Sequence, residues 1–413
     1  MESIKISRFL IVDTDQDAAT QFKVLLGRLQ YQNITIAQDG EQALELMETK
    51  RIQFILASWD IEPMSGTAFV QRVLATDKFR YTPFLIYSNR LSDQDIEMFQ
   101  HFGLENILKN TSDEDVTIKT IKDIISAEED LDPIEHRIRQ ADHLRMEKQY
   151  TQALSIIKPA LVQGPFFFDA RTLLGQIYYE QEMYEDAEKA VQDVLSQGDE
   201  HQPALQMMAR IYARTKRHNK AVEILQKMSM DHPYNVEALL NLGIVNSELE
   251  HYDRAMDNFT KVRQIDPTNK RVNEEEGKMR FRQGKFELAS QLLQEMENTE
   301  QIARDFNNIA VGLVGKSDFK RAIPTYGAAI SIMKNHEDIT HLMEYNLGLA
   351  LRKSGDLEKA FVTLTECFKK HPNFVKAYAA LVRLVKEMEE KDIIYDRKLM
   401  HELKTIHRSK HSE

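Results

Sequence analysis

Over roughly the first 130 residues, short apolar runs alternate with amphipathic stretches. The runs are "FLIV" (9–12), "NITIA" (33–37), "FILA" (54–57), "PFLIYS" (83–88) and "NILK" (106–109). They are rich in β-branched and aromatic residues, which predicts buried strands. Between them, "AATQFKVLLGRL", "GEQALELMET", "GTAFVQRVLA" and "DQDIEMFQHFG" carry apolar residues at helical spacing. Five βα units in about 125 residues predict an α/β fold with a doubly wound parallel sheet, whose ligands gather at the C-terminal strand ends. The polar residues placed there are Asp13 and Asp15, Ser58 and Asp60, Ser88, and Lys109.

With those residues in place, the stretch 8–126 resembles the receiver (CheY-like, flavodoxin-like) domain of bacterial response regulators. In that family two acids after the first strand and an aspartate at the third strand's tip hold Mg²⁺. That third-strand aspartate accepts the phosphoryl group. A Ser/Thr ends the fourth strand and a lysine ends the fifth. The resemblance makes Asp13 the first acid, puts Thr14 in place of the second, and matches Ser88 and Lys109 to the hydroxyl and the lysine. Asn106 stands where an aromatic switch residue is usual, and Ser58 falls at the acceptor. The family's glycine eight residues after the acceptor agrees with Ser58 and Gly66, and Trp59 suits the next position. Asp60 would lie only six residues before Gly66.

Acyl-phosphate formation needs a carboxylate nucleophile, and the metal needs hard oxygen ligands. A serine with no neighbouring base replaces neither. The expectation is a degenerate phosphorylation site formed by Asp13, Thr14, Ser58, Asp60, Ser88 and Lys109, with Asp13, Asp60 and Lys109 as a charge-balanced cluster. No cofactor is expected. Mg²⁺ enters only if the site still functions, with Asp15 or Asp60 making good the lost acid.

After about residue 130 the strands stop and a repeat begins. Alanines recur at Ala153, Ala187, Ala221, Ala255 and Ala289 with a 34-residue interval, then at Ala322 and Ala360. The last interval, 38 residues, predicts a longer turn around "KNHEDITH". Three residues before each alanine stands Tyr150, Tyr184, His218, Tyr252, Phe286, Phe319 or Leu357. Twelve before it stands Gly175, Gly243, Gly277 or Gly348, or else Ala141, Ala209 or Ala310. Pro165, Pro233, Pro267 and Pro372 close four copies. This resembles the tetratricopeptide repeat (TPR), a pair of antiparallel helices brought close by small residues and ended by proline. Seven repeats are expected from about 134 to 373, stacked as an all-α solenoid. The helix "FVKAYAALVRLVKEMEEK" would cap them, and the charged tail would extend that helix or fray. The expected division is 1–130 receiver-like, 131–390 repeats and cap, 391–413 tail.

Composition narrows the function. The net charge is −11; residues 1–129 hold 13 Lys/Arg against 21 Asp/Glu, about −8, leaving about −3 for the rest. This acidity argues against nucleic acid as a partner. No apolar run is long enough for a membrane span and no signal-peptide pattern opens the chain, so a cytoplasmic protein is expected. The single cysteine, Cys367, reads as a buried small residue, and Met207 and Met208 as gap-fillers. The histidines show no metal-ligand spacing, no nucleotide-binding motif occurs, and no helix-turn-helix follows the first region.

Binding remains. The first helix of each repeat would line a groove carrying Arg210, Arg214, Lys278, Arg282, Arg304 and Asn307, with apolar positions at Leu240, Ile244, Tyr345 and Leu349. That face suits an acidic, partly apolar peptide or helix. The expectation is a non-enzymatic signalling adaptor. Its partners would be a groove ligand, a histidine kinase or another response regulator, and a second copy through the receiver. The alternative is a phosphorylation-controlled regulator with the repeats as output.

Overall fold

The computed structural model describes residues 6–410, apart from 93–94, 97–98, 100–103, 105, 110, 112, 162–166, 199–200, 295, 297–298 and 334–336. Contacts divide the chain into two compact units, Met1–Asn269 and Lys270–Glu413.

The first unit opens with β1 (Arg8–Val12), α1 (Gln16–Arg28), β2 (Asn33–Ala37), α2 (Gly40–Thr49), β3 (Phe54–Ser58), α3 (Gly66–Ala75), β4 (Phe84–Tyr87), β5 (Ile107–Leu108) and α4 (Glu114–Glu129). The helix expected over 93–103 lies mostly outside the described residues. The strands pair in parallel in the order β2-β1-β3-β4-β5. The period-2 alternation of each strand feeds two cores. Leu10, Val12, Ile55, Ala57, Phe84 and Ile86 join the core beneath α2 and α3. Phe9, Ile11, Phe54, Leu56, Leu85 and Tyr87 join the one beneath α1 and α4. The order reverses between β1 and β3, so their C-terminal ends, just before Asp13 and at Ser58, flank the crevice where such sheets bind ligands.

Helix pairs follow. In the first unit they are α5 (Pro133–Met146) and α6 (Tyr150–Ile157), α7 (Phe167–Glu180) and α8 (Tyr184–Leu195), α9 (Gln202–Arg214) and α10 (His218–Asp231), α11 (Val236–Glu248) and α12 (Tyr252–Ile265). In the second they are α13 (Lys270–Arg282) and α14 (Phe286–Leu293), α15 (Thr299–Gly315) and α16 (Phe319–Ile332), α17 (Glu337–Ser354) and α18 (Leu357–Lys370), α19 (Val375–Glu390) and α20 (Arg397–Lys410). The bulky residue three before each repeat alanine is the first residue of the second helix in all seven repeats. The extra residues near "KNHEDITH" lengthen α17, which begins at Glu337, rather than a turn alone. The tail neither extends α19 nor frays over 397–410. It turns at Asp392 and forms α20, which buries Leu403 in the terminal core.

Two details carry the repeat geometry. The glycine of the first helix faces a large side chain four residues after the alanine. A Cβ on Gly243 would lie 2.5 Å from the Phe259 ring, and one on Gly348 2.5 Å from Leu364. The small residue therefore makes room for a bulky partner as well as a close backbone. The turn between helices holds one residue in the left-handed region, five before each alanine. These are Lys148, Glu182, Lys216, Glu250, Gly284, Ser317 and Gly355, with φ from 59° to 92°. The next backbone N–H reaches back to close the helix end, as from His251 to Asn246 O at 2.8 Å. Asp392 repeats the pattern, with Ile393 N–H to Met388 O at 2.8 Å, so the chain ends in an eighth pair.

Ala221 and Ala255 are wholly buried. Replacing either by Leu is expected to cost about 1–3 kcal/mol, seen as a broadened thermal or urea transition. Because a left-handed residue with a Cβ is strained, Gly355→Ala is expected to destabilise by about 1 kcal/mol and Glu250→Gly to be neutral or stabilising. Urea midpoints of the two variants check the sign.

Candidate functional site

Of the residues expected at the strand ends, Asp13, Asp15, Thr14, Ser58, Asp60 and Ser88 accept or donate hydrogen bonds within the protein. Asp13 is 4% exposed. Its Oδ2 accepts from the Tyr87 hydroxyl at 2.7 Å and its Oδ1 from the Asp15 N–H at 2.9 Å. The Asp15 carboxylate caps α1, accepting from the N–H groups of Asp17 (2.9 Å) and Ala18 (3.2 Å). Thr14 Oγ1 accepts from Glu62 N–H at 3.4 Å. Ser58, the last residue of β3, is buried and its Oγ accepts from Asp60 N–H at 3.3 Å. Ser88 is buried too. It donates to Asp60 Oδ2 at 2.7 Å and accepts from Arg90 N–H at 2.9 Å. Lys109 is exposed, as is Asn106. The expected Asp13–Asp60–Lys109 charge balance is not what holds Asp13, which is satisfied by a phenol and a backbone amide.

The loop after Ser58 is fixed by Trp59. A Cβ on Gly66 would lie 2.5 Å from the Trp59 ring and 2.6 Å from its carbonyl oxygen. This close approach is the physical reason for a glycine eight residues after Ser58. The indole N–H donates to Asp95 Oδ1 at 3.1 Å, and the ring meets Phe99 edge-on with centroids 4.4 Å apart.

Burial pushes the Asp13 carboxyl above its ordinary value of 3.8, against the lowering effect of Tyr87 and the Asp15 amide, while the charges of Asp15 and Asp60 raise it further. Burial, and then the nearby Asp13 charge, also drive the Tyr87 phenol well above its usual range. Sequence reasoning missed Tyr87, which sits one residue before Ser88 inside an apolar strand; its hydroxyl was the only available signal.

A Mg²⁺ ion is a poor match for this donor set. Where the resemblance puts the acceptor and the second acid stand the hydroxyls of Ser58 and Thr14, and both oxygens of Asp13 and one of Asp15 accept internal hydrogen bonds. Among the described residues no group of three or more His, Cys, Asp or Glu is arranged to hold a metal.

The residues expected to line the groove divide. In the first unit Arg210 is exposed and lies 5.0 Å from the Tyr179 ring centroid. Arg214 is exposed and its Nε donates to Tyr184 Oη at 3.2 Å. Ile244 is half-buried, but Leu240 is 0% exposed and offers no surface to a ligand. In the second unit Lys278 pairs within its own helix, with Glu274 at 2.7 Å and Glu275 at 2.8 Å, so its charge is already compensated. Arg282 is exposed; Arg304 is exposed and pairs with Glu300. Asn307 is buried, accepting from Asn346 Nδ2 at 3.1 Å. Tyr345 and Leu349 are half-buried, with Tyr345 against Phe374 at 5.3 Å. Cys367 is buried and donates to His341 O at 3.4 Å; burial pushes its thiol up to about 12.

Comparison with known proteins agrees with this architecture. The response regulator receiver domain matches residues 9–122, and tetratricopeptide repeat models match 144–211, 202–228 and 343–373. The chain thus carries a CheY-like receiver domain fused to tetratricopeptide repeats. Among curated proteins it is similar to the BBSome complex member BBS4 of Bos taurus, 26% identical over 178 residues, 42% of this chain and 33% of that protein. It is also similar to the chemotaxis protein CheY of Pseudomonas aeruginosa, 29% identical over 94 residues, 22% of this chain and 76% of that protein. The chain thus spans about a third of the length of the first of these relatives. Similar solved structures include the chemotaxis response regulator CheY4 of Vibrio cholerae, at 20% identity, 29% of this chain, 98% of that chain and TM-score 0.27. Another is a tetratricopeptide repeat protein from Parabacteroides merdae, at 14% identity, 66% of this chain, 98% of that chain and TM-score 0.40. Among the described residues no helix is long and apolar enough to cross a membrane.

Because the folded-state pKa of Asp13 is raised, the fold binds more protons than the unfolded chain, and stability falls as pH rises through that pKa. Asp13→Asn is therefore expected to raise the melting temperature near about pH 7, with the gain shrinking toward about pH 4 as the wild-type carboxyl takes up its proton. Melting curves of both proteins across that range check it; a gain that grew on acidification would contradict it.

Proposed function

We propose that this protein is a non-enzymatic signalling adaptor. Its receiver, residues 1–130, has lost phosphorylation chemistry and serves as a constant docking module. The repeats over 131–390 bind a protein or peptide, and 391–413 close the array. The observation that carries the reading is the state of the acceptor site. Ser58 stands at the acceptor position, and the carboxylates of Asp13, Asp15 and Asp60 are each taken by a protein donor. A hydroxyl without a base is a weak nucleophile toward phosphorus, and among the described residues no group of three or more His, Cys, Asp or Glu is arranged to hold the cation that would neutralise the transferring group.

The proposed setting is the cytoplasm, in a two-component or related pathway. Proposed partners are a histidine kinase or another response regulator, a ligand on the first-helix faces of the repeats, and a second copy through the receiver. In the second unit the proposed groove positions that keep accessible surface are Arg282, which is exposed, and Tyr345 and Leu349, which are half-buried. Likeness of part of the chain to a BBSome complex member is in keeping with a scaffold.

One observation favours a second reading, a phosphorylation-controlled regulator. Asp60 is exposed and holds the Ser88 hydroxyl at 2.7 Å, the kind of neighbour a phosphorylated carboxylate uses.

Incubation with acetyl phosphate and Mg²⁺ separates the two. The wild-type protein is expected to gain no hydroxylamine-labile phosphate by mass spectrometry, and Ser58→Asp alone to restore little, since Thr14 leaves the metal one carboxylate short. A labile phosphate on Asp60, lost in Asp60→Asn, establishes the second reading.

A further inference from the structure

Within the first unit the receiver and the repeats meet through two polar clasps. In the first, α3 meets the junctions on either side of α11 and α12. Ser65, the N-cap of α3, donates to Ile265 O at 3.1 Å. Gln71 bridges two backbone groups, donating to Tyr234 O at 2.9 Å and accepting from Val236 N–H at 2.8 Å. Arg72 grips Asp266 with both arms of its guanidinium, Nε to Oδ2 at 2.8 Å and Nη2 to Oδ1 at 2.7 Å. It also reaches Thr268 at 2.9 Å and is steadied from α2 by Glu41 at 2.6 Å.

The second clasp follows α3. Asp77 pairs with Arg145 at 2.7 Å and Arg80 with Asp142 at 3.4 Å, while Arg145 also holds Asp142 at 2.7 Å and Glu180. Asp266 and Asp142 are 0% exposed and Arg145 is 3% exposed.

These burials decide how the contact behaves. A surface ion pair forms and breaks at little cost, but a buried charge that loses its partner is strongly unfavourable. Lifting α3 away removes the fork from Asp266 and exposes two backbone groups, Tyr234 O and Val236 N–H, that are matched to one glutamine. The planar two-armed geometry is also particular to arginine. The contact reaches the strand-end site, because Gly66 lies under Trp59 and Trp59 follows Ser58.

We propose that α3 of the receiver is a built-in ligand of the repeat array, held permanently in a seat made by Tyr234, Val236, Ile265, Asp266 and Thr268. The face of α3 that carries Gln71 and Arg72 is therefore not offered to outside partners, and this part of the array is filled by its own chain. The permanence rests on the reading of the receiver as one that does not switch; the seat itself does not.

Hydrogen exchange of the full-length protein tests it. Arg72→Ala is expected to speed exchange tenfold or more in 66–75 and, together with it, in 234–238 and 264–269, while β3 (54–58) stays protected. Arg72→Lys, which keeps the charge but not the fork, is expected to fall between and guards against misfolding of the first variant. Adding acetyl phosphate and Mg²⁺ to wild type is expected to change none of these segments. Unaltered exchange across 234–238 and 264–269 in both variants overturns the seat and leaves the phosphorylation reading standing. Faster exchange on both faces when wild type meets acetyl phosphate overturns permanence. A phosphate gained with the clasp still protected refutes only the loss of receiver chemistry.

Discussion

A carboxylate withdrawn from water needs a donor or a cation, and the first unit is organised by how that need is met. Buried Asp13 takes a phenol and an amide; the exposed Asp60 and Asp15 accept as well, from Ser88 and from the amides that begin α1. In a site that held a metal, the ion would do this work. Here the protein supplies donors of its own to the aspartates that mark the fold's ligand crevice. Where the receiver meets the repeats, Asp266 and Asp142 meet the need with arginines. One electrostatic requirement thus runs through Asp13 at the strand ends and through the contact between receiver and repeats.

The repeats are governed by a steric requirement instead. A left-handed residue turns the chain, an alanine lets the second helix approach, and a small residue on the first helix admits a large side chain such as Phe259. Each element recurs at the same offset, so the architecture is a sum of local units whose faces remain free to vary. That freedom explains why Leu240 is wholly buried while Tyr345, at the equivalent kind of position in another repeat, keeps some surface.

Much of the fold was legible because it rests on short-range patterns. The apolar runs at 9–12, 54–57 and 83–88 became β1, β3 and β4, and the alanine period located the helix pairs. The turn residue escaped notice because Lys148, Glu182, Lys216 and Glu250 bear no glycine signature, and only Gly284 and Gly355 advertise it. At the site, register placed Asp13, Ser58, Asp60 and Ser88 side by side, but Tyr87 was hidden among apolar neighbours. The arginine seat was beyond reach: Arg72 and Asp266 are 194 residues apart, and no local pattern links them. Groove positions were read from helix phase, which gives a face but not what covers it, so Leu240 and Asn307 were expected at a surface and are buried.

The chain has one tryptophan, Trp59, next to Ser58 and packed on the loop that a bound metal or phosphoryl group would disturb. Its fluorescence during titration with Mg²⁺, alone and with beryllium fluoride as a phosphoryl mimic, reports directly on whether the strand-end site still works. A flat response at millimolar Mg²⁺ is the result expected of a receiver whose carboxylates are satisfied from within. A saturable change in intensity, abolished by Asp13→Asn, would contradict it.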